Sequence, residues 1–391
     1  MAEQNSERRM KTRTALLFAC LLGGLLTACD DKPAVTPSVV EPEPDTLVVV
    51  EPPVSHLTLL FAGDLMFHDS QVKGALQPDG TYDFSGYFTD ISDEVQRADV
   101  AIINLETTLS GPPYTGYPTF RSPDAVLQAT LDAGFDVFLT ANNHCLDGGS
   151  RGFERTLSVM DSLLVPHLGT YRDTLERSLY YPFLIEQNGI RVVLLNFTYG
   201  TNGLKPKGTN VVNYMDTVQI ANDIEKAHSM HPDVIIALPH WGYEYHPLPS
   251  AKQKEMAQWL LDKGVDHIIG GHPHVAQPLE LNADSSHLVA WSMGNVVSNM
   301  TRLAALGGYM VRMELTKRDS TTRLSDCGYT LYWVSLPDDN NFNYQHRVMR
   351  FSKPDSLLTK KEIGKRDAID ALLHKLLDTH NQGPIKEYEM E

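Results

Sequence analysis

The chain has 391 residues, of which 42% are hydrophobic, and its formal net charge is −16. This length is sufficient for one large domain or two modest ones with a sizeable core. An acidic chain without a basic patch in its mature region disfavours nucleic acid or an anionic membrane surface as a tight partner, because neutralising phosphates requires clustered Lys and Arg.

The first 28 residues are predicted to be a secretory signal peptide. Four basic residues between positions 8 and 13 precede an apolar run over 14–26 that is too short for a transmembrane helix. Residues 26–29 read Leu-Thr-Ala-Cys, which resembles the bacterial lipobox, so we expect lipidation of Cys29. The alternative is an ordinary cleavage site followed by a chance cysteine. Removing 1–28 takes away four positive and two negative charges, which leaves −16 − 2 = −18.

The next segment, 29–55, is predicted to be an extended tether because its proline-rich sequence cannot build a core. The tether would hold a folded domain over 56–300, followed by a C-terminal region over 301–391. After loss of the leader and lipidation of Cys29, the remaining cysteines are Cys145 and Cys327. The sequence does not decide whether they pair.

From residue 56 onward, short apolar runs alternate with helical patterns. This alternation predicts an α/β sandwich, and near-continuous apolar runs are typical of strands covered on both faces. Helices are expected from Ser122 to Gly134 and from Pro249 to Gly264, and a charged helix is expected over about 360–380. The predicted strands are 57–62, 100–104, 137–140, 192–196, 234–238, 265–269 and 288–292, with an added β region at 309–315, 329–336 and 347–351.

Polar side chains follow five of these strands at the point where each strand ends. The residues are Asp64, Glu106, Asn143 with His144, His240, and His272 with His274. Taken singly, each is explained as a turn residue. Ligands bind outside the carboxyl ends of strands in α/β sheets, so together these residues predict one site. Mixed carboxylate and imidazole donors favour Mn, Fe or Zn, and we expect two such divalent ions.

The motifs also carry a family resemblance. Gly-Asp-x-Met-x-His-Asp, Asn-Leu-Glu, Asn-Asn-His-x-x-Asp-x-Gly, His-Trp-Gly-x-Glu and Gly-His-Pro-His occur in this order between about 56 and 299. They resemble the CapA (poly-γ-glutamate capsule synthesis) branch of the calcineurin-like metallophosphoesterases. The resemblance implies a four-layer α/β/β/α sandwich with a C-terminal β extension and a terminal helix.

The resemblance also implies roles for individual residues. Asp64 and His274 would bind the first metal, Glu106 would bridge, and His144 would be the general acid. Asn143, His240 and His272 would bind the second metal. Met66 departs from the wider fold, which has histidine at this position. His68 is a candidate replacement, and the alternative is a poorly held first metal.

Five further residues are predicted to bind substrate. Arg121 and Tyr117 lie in an aromatic loop where an arginine suits a carboxylate or phosphate, although a surface salt bridge explains Arg121 equally well. Trp241 and Glu244 are expected to form a substrate wall or a support for His240. Asn295 is expected to line the site, the alternative being a turn.

The resulting functional expectation is a CapA-like, metal-dependent lipoprotein outside the cytoplasm, at the periplasmic or cell-surface side of a membrane. It would act in synthesis, anchoring or processing of a capsule or poly-γ-glutamate-type polymer, with a membrane polymer-synthesis complex as a possible partner and no nucleic acid. The alternatives are a secreted metallophosphohydrolase acting on a phosphorylated small molecule and a non-catalytic scaffold that binds the polymer.

Overall fold

The computed structural model describes residues 54–340 and 345–390. The predicted signal peptide, Cys29 and all but the last residues of the tether lie outside the described residues. Within the described part of the chain, no helix is long and apolar enough to cross a membrane.

Strands and helices are numbered in chain order. The strands are β1 (Val54–Leu65), β2 (Val100–Leu105), β3 (Val137–Leu139), β4 (His167–Leu168), β5 (Thr170–Tyr171), β6 (Phe183–Gln187), β7 (Ile190–Thr198), β8 (Val211–Val212), β9 (Val234–His240), β10 (His267–Ile269), β11 (Leu279–Leu281), β12 (Leu288–Ala290), β13 (Asn295–Val297), β14 (Gly307–Arg318), β15 (Thr321–Ser335), β16 (Arg347–Arg350) and β17 (Lys386–Glu387). The helices are α1 (Asp69–Ala75), α2 (Ser92–Arg97), α3 (Ala125–Ala133), α4 (Gly149–Ser162), α5 (Thr174–Tyr180), α6 (Thr217–Ser229), α7 (Ala251–Asp262) and α8 (Lys360–His380), with 3₁₀ turns at Ser85–Tyr87, Leu303–Ala305 and Asp355–Leu357.

Two large sheets organise the molecule. The first has the order β16-β15-β14-β1-β2-β3-β4, with β13 also pairing with β1 and β17 with β15, and the second has the order β11-β12-β10-β9-β7-β6. The strands β1 to β4 run parallel, as do β7, β9, β10 and β12, so their carboxyl ends meet at common edges. This arrangement confirms the predicted α/β class and is consistent with a sandwich of metallophosphoesterase type.

Burial explains why the central strands have continuous apolar sequences. Every residue of β2 and β9 is buried, and residues of both sheets belong to one hydrophobic core. A strand covered on both faces cannot alternate apolar and polar residues. The C-terminal strand β14 pairs with β1 from Val54 opposite Arg318 to Phe61 opposite Val311.

The helix-end signals also have a structural basis. Ser250 caps α7 and forms a reciprocal capping box with Gln253, while Gly264 follows the helix with φ of +91°. Gly134 ends α3 in the left-handed conformation. The predicted bounds of α8 are confirmed, whereas β1 begins earlier and β15 is longer than predicted, because β14 provides a partner along both.

Candidate metal centre

Asp64 lies at an irregular end of β1, where the register with β2 shifts between Ala62 and Asp64. A Cβ atom on Gly63 would lie 1.9 Å from the carbonyl oxygen of Gly294, so only glycine fits there. The Asp64 backbone N–H donates to the same carbonyl at 3.0 Å. This close approach of β1 to the loop before β13 places the Asp64 carboxylate at the sheet edge, fully buried.

Two groups of three buried ligand-type side chains meet at this edge. Asp64, Glu106 and His274 form one group, and Glu106, His240 and His272 form the other. The ligand atoms of each group lie within 4.8 Å of one another, and Glu106 belongs to both. The structure therefore brings residues from four strand ends into a cluster that is compatible with a metal site.

Two atoms of the cluster lack a hydrogen-bond partner among the described residues. Glu106 Oε1 lies 3.6 Å from His240 Nε2 and 3.7 Å from His274 Nε2 without forming a hydrogen bond to either. His272 Nδ1 is also buried and unpartnered. Burying a polar atom without a partner is unfavourable, and a carboxylate oxygen beside an imidazole lone pair is a donor set that a cation would satisfy.

The electrostatics of the cluster follow from burial and opposite charges. Burial opposes ionisation of Asp64, but its hydrogen bond to His274 and the nearby His240 hold its pKa well below the usual range. Burial would lower the pKa of His274, but the carboxylates of Glu106 and Asp64 outweigh it and raise that pKa to about 9. Burial, with His240 and His274 nearby, holds the pKa of His272 well below its usual value.

The backbone around Pro273 explains how two closely spaced histidines both enter the cluster. His272 has φ of +99° and His274 has φ of +58°, in a region that non-glycine residues rarely adopt. The His272 N–H donates to Asp64 Oδ2 at 3.1 Å, and the Pro273 carbonyl accepts the Tyr245 N–H at 2.8 Å. Such strained backbone persists where surrounding contacts hold it, and it is common at functional sites.

Asn143 and His144 follow β3 and lie beside the second group. Asn143 Oδ1 is 2.8 Å from His240 Nε2, and its amide nitrogen donates to Asn202 Oδ1 at 3.3 Å. His144 Nδ1 lies 2.7 Å from Asp147 Oδ2, which also accepts the Phe120 N–H at 2.6 Å. His144 belongs to neither ligand group, and the Asp147 carboxylate orients its imidazole.

Comparison with known proteins identifies the family. The model of the bacterial capsule synthesis protein family PGA_cap matches residues 58–300, which include every residue of the cluster. The chain belongs to this family. The capsule biosynthesis protein CapA of Bacillus anthracis is 26% identical over 293 residues, covering 70% of this chain and 68% of that protein. The PGA biosynthesis protein CapA of Bacillus subtilis (strain 168) is 30% identical over 199 residues, covering 49% of this chain and 51% of that protein.

The chain also has a likeness to solved structures. The calcineurin-like phosphoesterase YfkN from Bacillus subtilis is 16% identical with a TM-score of 0.41, covering 84% of this chain and 99% of that one. The NAD nucleotidase of Haemophilus influenzae is 13% identical with a TM-score of 0.43, covering 87% of this chain and 65% of that one.

His68 lies outside both ligand groups of this PGA_cap family member. Its Nδ1 is 3.2 Å from the Asn299 N–H and 3.3 Å from Gln71 Oε1, and its ring meets the edge of Phe120. Burial lowers the pKa of His68 to about 4, so the ring is neutral near pH 7. Nδ1 of His68 therefore holds neighbouring segments together, and the role of His68 as a replacement for the missing first-motif histidine stays a prediction.

Two of the predicted substrate-binding residues are buried, and for Trp241 the structure favours the alternative of a support for His240. Trp241 is only 1% exposed, and its indole N–H donates to the Trp291 carbonyl at 3.0 Å. It therefore supports the end of β9 from within the core and offers no surface to a substrate. Asn295 is fully buried, and its Oδ1 lies 3.0 Å from His274 Nδ1, so it orients a cluster histidine instead of lining an open site.

The other three substrate-binding candidates lie outside the two ligand groups. Phe120, instead of Arg121, packs between the rings of His68 and His144. Arg121 Nε is buried without a hydrogen-bond partner among the described residues. Tyr117 is 76% exposed. Glu244 is also exposed, and its charge contributes to raising the pKa of Tyr199 and of Tyr245. Substrate binding by Tyr117 and Glu244, at the rim of the site, stays a prediction.

Sequence reasoning missed Asn104 and Tyr199. Asn104 donates to Asp64 Oδ1 at 2.8 Å and lies 3.4 Å from Glu106 Oε2, so it joins the two carboxylates. An amide at the end of the apolar strand β2 was the available signal. Tyr199 is 46% exposed and packs over His272 with ring centroids 4.4 Å apart. No pattern in the sequence marks that contact.

Proposed function

We propose that this protein is a metal-dependent, CapA-type envelope lipoprotein that acts in synthesis, anchoring or processing of a capsule or poly-γ-glutamate-type polymer. The observation that carries the proposal is the position of Glu106 within the range matched by the family model. Its buried carboxylate is shared by two groups of ligand-type side chains, and one of its oxygens has no hydrogen-bond partner in the described part of the chain.

The residues divide into two ligand sets. Asp64 and His274 would hold one divalent ion and His240 and His272 the other, with Glu106 common to both. Asn143 adds an amide oxygen to the second set, because its nitrogen is directed to Asn202. This mixture of imidazole and oxygen donors suits Mn, Fe or Zn. Such a pair of ions would supply an activated water and stabilise charge on a substrate oxygen.

His144 is suited to proton donation at this site. Its Nδ1 bonds to Asp147, which fixes the ring orientation and leaves Nε2 available for a substrate oxygen. Phe120 and Asn142 restrict the residue further, through a ring contact at 4.6 Å and a hydrogen bond to the His144 N–H at 3.1 Å. An oriented imidazole beside a metal site is the arrangement required of a general acid.

The cellular assignment rests on the leader sequence. Lipidation of Cys29 and a tether over 29–55 would keep the folded region outside the cytoplasm at a membrane surface. The polymer, and a membrane complex that makes it, are the partners this location suits. Replacing Cys29 with serine should release the protein from the membrane fraction, and retention of the variant there would contradict the assignment.

The proposal is tested first by metal content. The full chain is purified without chelator and analysed by mass spectrometry beside an Asp64→Ala/His272→Ala double variant. A matched control carries Asp132→Ala and His228→Ala, which alter exposed residues away from the cluster. We expect about two transition metals per chain in the wild type and control, and loss in the double variant. A wild type that remains metal-free after addition of Mn, Fe and Zn salts would refute the proposal.

Hydrolysis of small phosphoesters is a second candidate, favoured by the His144–Asp147 pair. Asp147→Asn keeps the shape but weakens the acceptor for Nδ1. If the protein is a hydrolase, this variant should keep its metal and lose about 10²-fold or more in turnover, the usual scale for general acid catalysis. A scaffold would instead bind polymer without turnover, and His144→Ala would leave that binding intact.

A further inference from the structure

The segment 295–302 follows β12 and lies along the Asp64–Glu106–His274 side of the cluster. It makes successive contacts there. Asn295 Oδ1 meets His274 Nδ1 at 3.0 Å, and Met300 Sδ accepts the Tyr245 hydroxyl at 3.8 Å. The segment ends with Arg302, two residues beyond the range that the family model matches. A substrate at this group would therefore lie beside the segment.

The guanidinium of Arg302 lies over an aromatic ring that belongs to the site. Its guanidinium carbon lies 4.2 Å from the centre of the Tyr245 ring, and that ring lies 6.3 Å from the His274 ring. Tyr245 itself is held at φ of +64° by the bond from its N–H to Pro273. A guanidinium over an aromatic face at this distance is a cation–π contact, which favours this position of the Arg302 side chain.

Arg302 is exposed and forms no ion pair with any described residue. Six other arginines form ion pairs with carboxylates of the described residues: Arg97, Arg155, Arg172, Arg177, Arg191 and Arg366. An exposed guanidinium beside a metal-type cluster, without an ion pair among the described residues, is a suitable binding group for an oxyanion.

The surrounding rim supports a substrate position between Arg302 and the cluster. Burial and the charges of Glu106 and Glu244 raise the pKa of Tyr199 to about 12, and burial with Glu244 also raises the pKa of Tyr245. Both phenols are thus neutral donors near pH 7. Glu244 is the acidic group of this rim, but it does not come within ion-pair distance of Arg302. The Arg302 guanidinium therefore remains available to bind an anionic ligand.

We propose that Arg302, placed over the Tyr245 ring, binds a carboxylate or phosphate group of the substrate next to the Asp64–Glu106–His274 group. This inference rests on the proposed function, because it assumes that the substrate is held at the cluster. It assigns substrate positioning to a residue outside the family-matched range. The guanidinium would donate two parallel N–H bonds to the anion, which a lysine ammonium cannot reproduce in the same geometry.

The test uses the full chain with Mn added, and compares Arg302→Gln, Arg302→Lys and wild type. The matched control is Arg323→Gln, which changes an exposed arginine on β15 away from the cluster. Arg323 pairs with Thr316 on β14, and Thr316 pairs with His56 on β1. His56 lies eight residues before Asp64 in the chain. Binding of a γ-linked glutamate oligomer and of inorganic phosphate is measured by titration calorimetry. Metal content is determined on the same samples.

We expect Arg302→Gln to weaken binding of the preferred probe by about tenfold or more, as for loss of a charge-assisted hydrogen-bonding group. Arg302→Lys should lie between it and wild type, and the control should equal wild type. The stronger probe identifies a carboxylate or a phosphate source. Unchanged binding in Arg302→Gln, or a wild type that binds neither probe, overturns the Arg302 proposal whatever the metal content. A metal-free wild type refutes the proposed function instead, so the two failures are distinguishable.

Discussion

Replacing Asn104 with aspartate tests how the buried carboxylates of Asp64 and Glu106 are held together. The wild-type amide nitrogen donates to Asp64 at 2.8 Å and lies 3.4 Å from Glu106, while the side-chain oxygen accepts from Asn142 at 3.1 Å. Asn104→Asp preserves the shape and the acceptor for Asn142. It replaces the donor that separates the two carboxylates with a third carboxylate.

The expected cost can be worked out for the metal-free protein. Repulsion between unit charges 2.8 Å apart is about 6 kcal/mol at an effective dielectric constant near 20. Proton uptake limits this penalty, because neutralising a carboxyl of ordinary pKa at pH 7 costs about 4 kcal/mol. Repulsion raises the pKa of the introduced carboxyl at position 104 in the folded variant above its unfolded value. The loss in free energy of unfolding therefore grows with pH above about 4, and it is near 1.5 kcal/mol at pH 5.

Urea unfolding in the presence of chelator, at pH 7 and pH 5, measures these free energies directly. Asn188→Asp is the control, since Asn188 is exposed and bonds to the His56 carbonyl at the other end of β1. It should change the free energy of unfolding by no more than about 1 kcal/mol at either pH. Added Mn should stabilise Asn104→Asp more than wild type, because a cation offsets the repulsion. A loss below 1 kcal/mol at pH 7, or a loss that does not shrink at pH 5, would refute the reasoning.

Two further predictions concern packing. Gly63→Ala should prevent folding or lower the unfolding temperature severely, because the added Cβ would lie 1.9 Å from the Gly294 carbonyl oxygen. The control Gly364→Ala places its Cβ in open space on α8, so it should stabilise the protein by about 0.5–1 kcal/mol in thermal unfolding. Cys145 and Cys327 are buried free thiols whose pKa burial raises to about 12, so neither should react with an aromatic disulfide reagent at pH 8 until the protein is unfolded; rapid native-state labelling would contradict this.

Several features of the fold were predictable because they depend on local sequence. The apolar runs identified the central strands, and capping residues such as Ser250 and Gly134 identified helix ends, since these signals act over a few residues. Strand lengths were less predictable. The extent of β15 depends on pairing with β14, which is a contact between chain segments and leaves no separate pattern in either.

The candidate site divides in the same way. The residues that follow parallel strands were predicted to meet, and Asp64, Glu106, His240, His272 and His274 do lie together. Their convergence follows from topology, because the carboxyl ends of parallel strands share an edge. The orientation of each side chain is a different matter. His68 follows the same strand as Asp64, yet its Nδ1 bonds away from the cluster.

The sequence by itself thus determined the α/β class, the order of the central strands along the chain and the set of polar residues at the strand ends, because periodicity and turn chemistry are local. Only the tertiary structure decided which of these residues face one another. Burial made Trp241 a support and Asn295 an orienting residue, and close packing brought in Asn104 and Tyr199. The physical reason is that contacts between distant segments depend on how the sheets pack and on which polar atoms are left without partners.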